Sequence, residues 1–322
     1  MNKNIFTENL LIKVAWYYYK ENLTQNDIAE ILNISRNKVV RLLDKARAEG
    51  VVQFQIKGYG SNCLSIEKEF KETFSLQNAF VIPTPIAEND LSASLAKAAA
   101  QFIQNKLEKQ DLVGFGWGKA VSNTIEHLSL EPDNELSVVT LTGGVNYYFP
   151  NSNSVSGGIG KFNKIHVIPT PFMVSTEEMA AKFLNEPSVK EFLDLAKLSK
   201  YVVVGIGGIY PDATIILEEK MTINELTHIK QQNAVGDILG QFFNRNGEVL
   251  DLPHHARLIG TKLSTLKEMN NVIAVAGGDK KVEAIYGALK GKYIHTMITD
   301  ESTAESLIKM EVESKNELHS GA

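Results

Sequence analysis

The sequence predicts an α/β protein with two domains, a small helical domain at the N terminus and a larger Rossmann-like domain after it. Residues 10–57 are rich in helical patterns and contain two candidate helix caps. After residue 78, short apolar runs alternate with helical patterns, and most of these runs end in Gly, Pro or Thr. Such alternation predicts parallel βαβ units whose strands are buried on both faces.

The chain of 322 residues divides into four predicted segments. We expect a helix-turn-helix domain over 1–57, whose residues 51–56 form a strand of the winged-helix type. A linker or oligomerisation helix is expected over 58–78, and the larger domain over 79–310. The polar composition of residues 311–322 predicts a disordered tail.

Composition favours a cytoplasmic protein without a membrane anchor. Cys63 is the single cysteine, so no intramolecular disulfide can form, which fits a reducing compartment. The chain has no run of 18 apolar residues, and residues 1–11 lack the residue order of a signal peptide. The net charge is −5, yet residues 1–57 carry nine basic and six acidic side chains. A local excess of positive charge favours contact with phosphate, although a solvated helix face would have the same charge.

Two short helices in the N-terminal domain are predicted by their caps and their apolar spacing. Thr24 and Asp27 have the spacing of a capping box, and Ser35 is placed to cap the next helix after a short turn. The apolar positions of the second helix share one stripe. They are Val39, Leu42, Leu43 and Ala46.

The opposite face of the second helix predicts contact with DNA. A second helix of this kind enters the major groove, where its N-terminal residues meet base edges. Arg36 is expected to bond guanine and Asn37 adenine, while the lysines and Arg41 are expected to meet phosphates. The residues predicted to contact DNA are Gln25, Ser35, Arg36, Asn37, Lys38, Arg41 and Lys45. The alternative is an amphipathic helical hairpin that binds protein or nothing.

Four glycine-containing loops follow predicted strands and together indicate an anion-binding site. They comprise residues 114–119, 140–144, 205–208 and 277–281. Glycine lets backbone N–H groups approach an anion, and the carboxyl ends of parallel strands meet at one edge of the sheet. A single loop of this kind is usually a tight turn. A dinucleotide is disfavoured because the second strand ends in Thr-Gly-Gly and not in an acidic residue.

Asp237 is an acid among apolar and small residues, and it is expected either to bond sugar hydroxyls or to cap a helix. Lys281 follows a strand-ending glycine pair and is placed to meet a phosphate. His254 and His255 are adjacent, which does not by itself make a metal site. The sequence shows no Ser/His/Asp order and no paired carboxylates, so no catalytic residue, metal or cofactor is expected.

Taken together, these motifs resemble the SorC/DeoR-type family of bacterial sugar-responsive regulators, most closely the subgroup that responds to phosphorylated autoinducer-2. The resemblance covers nearly the whole chain in order. It implies a DNA-binding head joined to an effector domain similar to sugar-phosphate isomerases and deaminases. The matching stretches lie within residues 23–43, 114–118, 140–145, 203–207, 234–240, 275–281 and 287–300.

The resemblance implies a regulator, expected to be a repressor, of a carbohydrate or autoinducer-2 uptake operon. Such a protein is a homodimer or homotetramer that leaves operator DNA when a phosphorylated sugar-like effector binds. The residues expected to line the effector pocket are Gly116, Trp117, Gly118, Thr142, Gly143, Gly144, Asp237 and Lys281. The alternatives are a sugar-phosphate isomerase or deaminase-like enzyme with an accessory helical domain, and a protein-interaction module without DNA.

Two positions depart from the family pattern. Met173 stands where relatives often carry an arginine that suits phosphate, which leaves open how the phosphate is held. Thr142 stands where deoxyribose-phosphate-type relatives carry a lysine able to form a Schiff base. This second departure argues against covalent capture of a sugar aldehyde at that position.

Overall fold

The computed structural model describes residues 2–52, 61–130, 135–144 and 161–320. The chain divides into two compact units, Met1–Gly58 and Tyr59–Ala322. None of the helices in the described ranges is long and apolar enough to cross a membrane. Each unit has its own hydrophobic core.

The described residues of the first unit form three helices. Their bounds are α1 Asn2–Tyr19, α2 Gln25–Ile31 and α3 Arg36–Ala48. Leu11 and Val14 of α1 pack with Ile28 of α2 and with the apolar stripe of α3, and all of these side chains are buried. The stripe is the one that the residue spacing predicts, at Val39, Leu42, Leu43 and Ala46.

Both predicted helix caps are present in the first unit. The Thr24 Oγ1 and N–H donate to Asp27 Oδ2 at 2.7 and 3.0 Å, and Asp27 N–H donates back to Thr24 Oγ1 at 3.3 Å. Ser35 Oγ accepts from the Lys38 N–H at 3.3 Å, which caps α3. These bonds satisfy N–H groups that the first turn of a helix leaves without partners, so they fix where α2 and α3 begin. The strand predicted over 51–56 lies almost wholly outside the described residues.

The second unit alternates strands and helices. Its strands are β1 Asn78–Ile82, β2 Leu112–Phe115, β3 Ser137–Thr140, β4 Lys164–His166, β5 Tyr201–Gly205, β6 Gly207–Gly208, β7 Gly236–Ile238, β8 Gln241–Phe243, β9 Val272–Val275 and β10 Thr296–Asp300. Its helices are α4 Ser61–Phe74, α5 Glu88–Gln104, α6 Lys119–His127, α7 Glu177–Asn185, α8 Pro187–Lys197, α9 Thr214–Leu217, α10 Ile223–Gln231, α11 Leu263–Glu268, α12 Val282–Lys290 and α13 Glu301–Ser320.

Seven of these strands form one parallel sheet in the order β1-β10-β9-β5-β2-β3-β4. The seven apolar runs of the sequence each overlap one of these strands; the runs are 79–82, 112–115, 136–141, 165–168, 201–206, 272–276 and 293–298. From β2 the chain continues through β3 and β4 on one side, whereas β5, β9 and β10 lie on the other. The strand order therefore reverses between β2 and β5, and such a switch point opens a crevice beyond the carboxyl ends of the two strands. A second, antiparallel sheet of β6, β7 and β8 follows β5.

The structure corrects the expectation of a disordered tail. Helix α13 continues to Ser320, and Glu311 within it is only 5% exposed. Glu311 Oε2 accepts from Tyr286 Oη at 2.8 Å and lies 3.3 Å from Lys290 Nζ. The polar sequence after Met310 therefore finds its partners on α12, which composition alone does not reveal. The predicted linker helix is α4, and it belongs to the second unit because Phe70 is fully buried in that core.

Replacement of Thr24 by alanine should destabilise the first unit selectively. The change removes an acceptor for the Asp27 N–H, and loss of such a cap costs about 1 kcal/mol. Amide hydrogen exchange in α2 and α3 should accelerate accordingly. Thr222→Ala is the matched control, because Thr222 and Glu225 form the same capping box on α10 of the second unit. Unchanged exchange in the first unit after Thr24→Ala would contradict the capping role.

Candidate functional sites

The exposed face of α3 presents cations that form no ion pair with any described residue. Arg36, Lys38 and Arg41 are all exposed, and in the described part of the chain none of them has a carboxylate within ion-pair distance. Lys45 differs, because its Nζ lies 3.5 Å from Glu49 Oε1. Positive charge without an internal partner is available to an external anion such as a DNA phosphate.

A groove of about 570 Å³ lies at the N-terminal ends of α2 and α3. Gln25 and Arg36, both predicted to contact DNA, line it together with Tyr18, Tyr19 and Asn22. Ser35 and Asn37 are exposed beside Arg36, in the first turn of α3 and at its cap. The two capped helix starts thus bring Gln25 and Arg36 to one groove.

In the second unit, the crevice at the switch point between β2 and β5 contains a small cavity. Four of the residues predicted for the effector pocket line it, namely Trp117 and Gly118 after β2, Asp237 on β7, and Lys281 after β9. Residues 205–207 at the end of β5 complete this side of the lining. The cavity volume is about 40 Å³, room for one or two water molecules.

Asp237 places a carboxylate in this cavity while being only 5% exposed. Burial raises its pKa to about 6, although the Gly240 N–H and the charge of Lys281 act in the opposite direction. Oδ2 accepts from the Gly240 N–H at 3.0 Å. Oδ1 faces Gly207 so closely that a Cβ on that glycine would lie 1.9 Å from it. The side chain is therefore held in place, and no residue in the described ranges forms a hydrogen bond to Oδ1.

Lys281 provides the opposite charge in the same cavity. Burial lowers the pKa of its ammonium group, and the charge of Asp237 counteracts this effect. The two groups do not approach within ion-pair distance. The neighbouring Lys280 is exposed instead and pairs with Asp212 at 3.5 Å. Of these two adjacent lysines, Lys281 alone lines the cavity.

The loop that carries Lys281 is fixed to the end of β10. The Gly278 N–H donates to Thr303 Oγ1 at 2.7 Å and to Asp300 Oδ1 at 3.2 Å. Thr303 Oγ1 in turn donates to Asp300 Oδ1 at 2.6 Å. Gly278 has a φ of +96°, which a residue with a side chain rarely adopts. This network, which the sequence pattern did not predict, sets the direction in which Lys281 leaves the backbone.

The start of α6 supplies unused backbone donors to the cavity. The helix begins after Gly118, whose φ of +109° requires glycine. The N–H groups of Gly118, Lys119 and Ala120 have no hydrogen-bond acceptor in the described residues, and all three residues line the cavity. A helix N-terminus with free N–H groups attracts anions. Lys119 is exposed at this end and adds a further cation.

Four predicted pocket residues do not line this cavity. Gly116 lies behind Leu239, since a Cβ on it would be 2.8 Å from Leu239 Cδ2. The N–H groups of Gly143 and Gly144 donate to Ile259 O and Thr170 O at 2.9 and 2.8 Å. Thr142 is paired with Gly260 in an antiparallel bridge. The N–H groups of this loop therefore bond segments that are distant in the sequence, and they do not face the cavity.

Sequence reasoning missed Lys119 and Thr214 as lining residues. Lys119 was part of the first glycine loop, so its position after a helix-starting glycine was a usable signal. Thr214 begins the short helix α9, and nothing in its sequence context marked it. Met173, the departure from the family pattern, does not line the cavity and is bridged to Leu258.

Comparison with known proteins identifies relatives along nearly the whole chain. A family model described as "Putative sugar-binding domain" matches residues 60–309. The Transcriptional regulator LsrR of Enterobacter sp. strain 638 is 37% identical over 310 residues, covering 94% of both chains. The protein of the same name from Escherichia coli K12 is 37% identical over 309 residues, covering 94% of this chain and 95% of its own.

Solved structures show the same fold. The full-length sorbitol operon regulator SorC from Klebsiella pneumoniae matches with a TM-score of 0.68 at 24% identity, covering 93% of this chain and 98% of that one. A DeoR family transcriptional regulator from Listeria monocytogenes matches with a TM-score of 0.70 at 23% identity, covering 77% of this chain and 100% of that one.

The curated relatives are transcriptional regulators and not enzymes, so the isomerase or deaminase alternative is not favoured. A helical head with exposed cations and a separate sugar-binding unit fit a DNA-binding regulator that responds to a sugar. The chain belongs to the SorC family of sugar-binding transcriptional regulators.

Proposed function

We propose that the protein is a cytoplasmic repressor of a carbohydrate or autoinducer-2 uptake operon, and that a phosphorylated sugar-like effector releases it from operator DNA. A linear molecule of the phospho-autoinducer-2 type belongs to this effector class. The observation that carries the proposal is the cavity that the buried carboxylate of Asp237 and the half-buried ammonium group of Lys281 line together without forming an ion pair.

Charge favours an effector that is both anionic and hydroxylated. Lys281, Lys119 and the free N–H groups at the start of α6 all attract a phosphate. These groups offer an alternative to the arginine that Met173 replaces. Asp237 accepts hydrogen bonds and repels anions, so it suits the hydroxyl groups of the same molecule.

The burial of Asp237 costs stability, which supports a role in binding. Its pKa is about 6 in the folded chain, against 3.8 for an ordinary aspartate. The folded state therefore loses stability as the pH rises from about 4 to 6, on the order of 3 kcal/mol. An acid kept in such surroundings is typical of functional sites.

The first unit supports DNA binding through α3. We propose that Arg36 and Asn37 read base edges, whereas Gln25, Ser35, Lys38, Arg41 and Lys45 position the helix on the backbone. A homodimer or homotetramer would present two such helices to paired half-sites and raise their effective concentration. Effector binding changes operator affinity only if the effector prefers one arrangement of the oligomer.

The effector class can be tested by thermal unfolding of the full-length protein. Sugar phosphates and phosphorylated linear diones should raise its melting temperature, because a ligand that binds the folded state stabilises it. The matching unphosphorylated compounds should have little effect. Equal shifts with both forms would exclude recognition of the phosphate.

Lys281→Ala should weaken effector binding by about ten- to a hundredfold, the usual value of a hydrogen bond to a charged group. Operator binding without effector should be unchanged. The measurement is titration of effector into a preformed protein–operator complex, with release followed by electrophoretic mobility shift. Lys280→Ala is the control, because this exposed lysine pairs with Asp212. Normal release by the Lys281 variant would remove this lysine from the site.

Arg36→Ala should weaken binding to the protein's own operator by about 1–3 kcal/mol if Arg36 reads a guanine. Binding to unrelated DNA should change much less, so the ratio of specific to non-specific affinity should fall. Arg47→Ala is the control on the same helix, since Arg47 is paired with Asp44. A loss that is equal on both DNAs would reassign Arg36 to the phosphate backbone.

A further inference from the structure

The turn between β7 and β8 holds a leucine in an unfavourable backbone conformation. Ile238 pairs with Gln241, so Leu239 and Gly240 form a two-residue turn, with φ values of +54° and +77°. Two positive φ values define the type I′ turn, in which Asn, Asp or Gly normally occupies the first position. Leucine at this position is strained and needs a compensating reason.

The side chain of Leu239 forms part of the wall of two cavities. One is the small cavity of Asp237 and Lys281, and the other is a neighbouring cavity of about 480 Å³. Leu239 lines both and is only 3% exposed. The position of this side chain is also fixed by Gly116, which has no Cβ and so lets the leucine pack directly against the backbone after β2.

The larger cavity has mainly apolar walls with a few polar side chains. Leu184, Leu258 and Val249 contribute apolar surface, and Lys262 adds an exposed cation. The side-chain amide of Gln241 already has two partners: its Nε2 donates to Thr261 O, and its Oε1 accepts from the Leu263 N–H, each at 3.0 Å. Thr261 is 4% exposed, and its Oγ1 has no partner within the described ranges.

The two volumes set a condition on the effector. A cavity of about 40 Å³ has room for water but not for a molecule of five or six carbons. The adjoining cavity of about 480 Å³ falls in the size range of ligand pockets, and the two share the side chain of Leu239.

We propose that Leu239 is a specificity-determining residue that sets the length of the effector by separating the two cavities. The inference rests on the proposed function and deepens it. The polar end of the effector lies between Asp237 and Lys281, and the rest of a longer molecule extends past Leu239 towards Thr261. Every sugar phosphate displaces the side chain to some extent, and the displacement that is needed increases with the length of the molecule.

The test is isothermal titration of full-length Leu239→Gly with glycerol 3-phosphate, ribose 5-phosphate and fructose 6-phosphate. Glycine accepts the positive φ and removes the wall. The gain in affinity of the glycine variant over the natural protein should increase with the length of the sugar phosphate. For fructose 6-phosphate the gain should be about two- to tenfold, the range of a side chain forced off its rotamer. Leu239→Ala should show the same order if the glycine variant folds poorly.

Leu239→Asn is the size-matched control. Asparagine tolerates the positive φ but is nearly as large as leucine, so it relieves backbone strain and keeps the wall. It should therefore retain the length preference of the natural protein. The same length-dependent gain in the asparagine variant would mean that strain, and not the wall, sets the preference.

An equal loss of affinity for all three probes in the glycine and alanine variants would overturn the inference. Leu239 would then be a simple contact in a fixed pocket, and the proposed function would stand. If no sugar phosphate of any length binds the natural protein or its variants, the proposed effector class fails and this inference fails with it.

Discussion

Two opposite charges held apart in one small cavity are the constraint on which the effector site proposed for the second unit depends. Asp237 and Lys281 are both desolvated, and each stabilises the charge of the other without forming an ion pair. A direct pair would satisfy both groups and leave nothing for a ligand. In the proposed function, this separation lets Asp237 Oδ1 and the Lys281 ammonium group each bond a molecule that carries both hydroxyls and an anion.

The fold maintains this separation by anchoring each group from a different direction. Asp237 lies in the small antiparallel sheet, opposite Gly207, and is fixed by the Gly240 N–H. Lys281 lies in a loop that Asp300 and Thr303 hold to the end of β10. The start of α6 forms a third side, at the switch point between β2 and β5. Elements far apart in the sequence thus converge on one small volume.

Local sequence rules predicted what local interactions determine. The caps at Thr24 and Ser35 and the apolar stripe of α3 depend on residues three or four positions apart, so they could be predicted from spacing. The strands of the parallel sheet were predicted from apolar runs, and their order placed four of the eight expected pocket residues at one cavity. Residues 205–207 were also recognised as a strand-ending loop.

Contacts between residues far apart in the sequence determined those features of the fold and the site that the sequence did not reveal. Gly143 donates to Ile259, more than a hundred residues away, and this bond turns the 140–144 loop from the cavity. Glu311 is buried because Tyr286 and Lys290 of another helix bond to it. These contacts explain why the polar C-terminal segment forms a helix. The sequence did not indicate that Leu239 has a positive φ, because this conformation arises in a turn that only the pairing of β7 with β8 defines.

The most direct test of the account is the affinity of the effector for the free protein and for the operator-bound protein, both measured by calorimetry. If the effector releases the protein from DNA, the bound form must hold it more weakly. The factor must equal the one by which effector weakens operator binding, because coupling between two sites is reciprocal. Equal effector affinities in the two states would contradict the account.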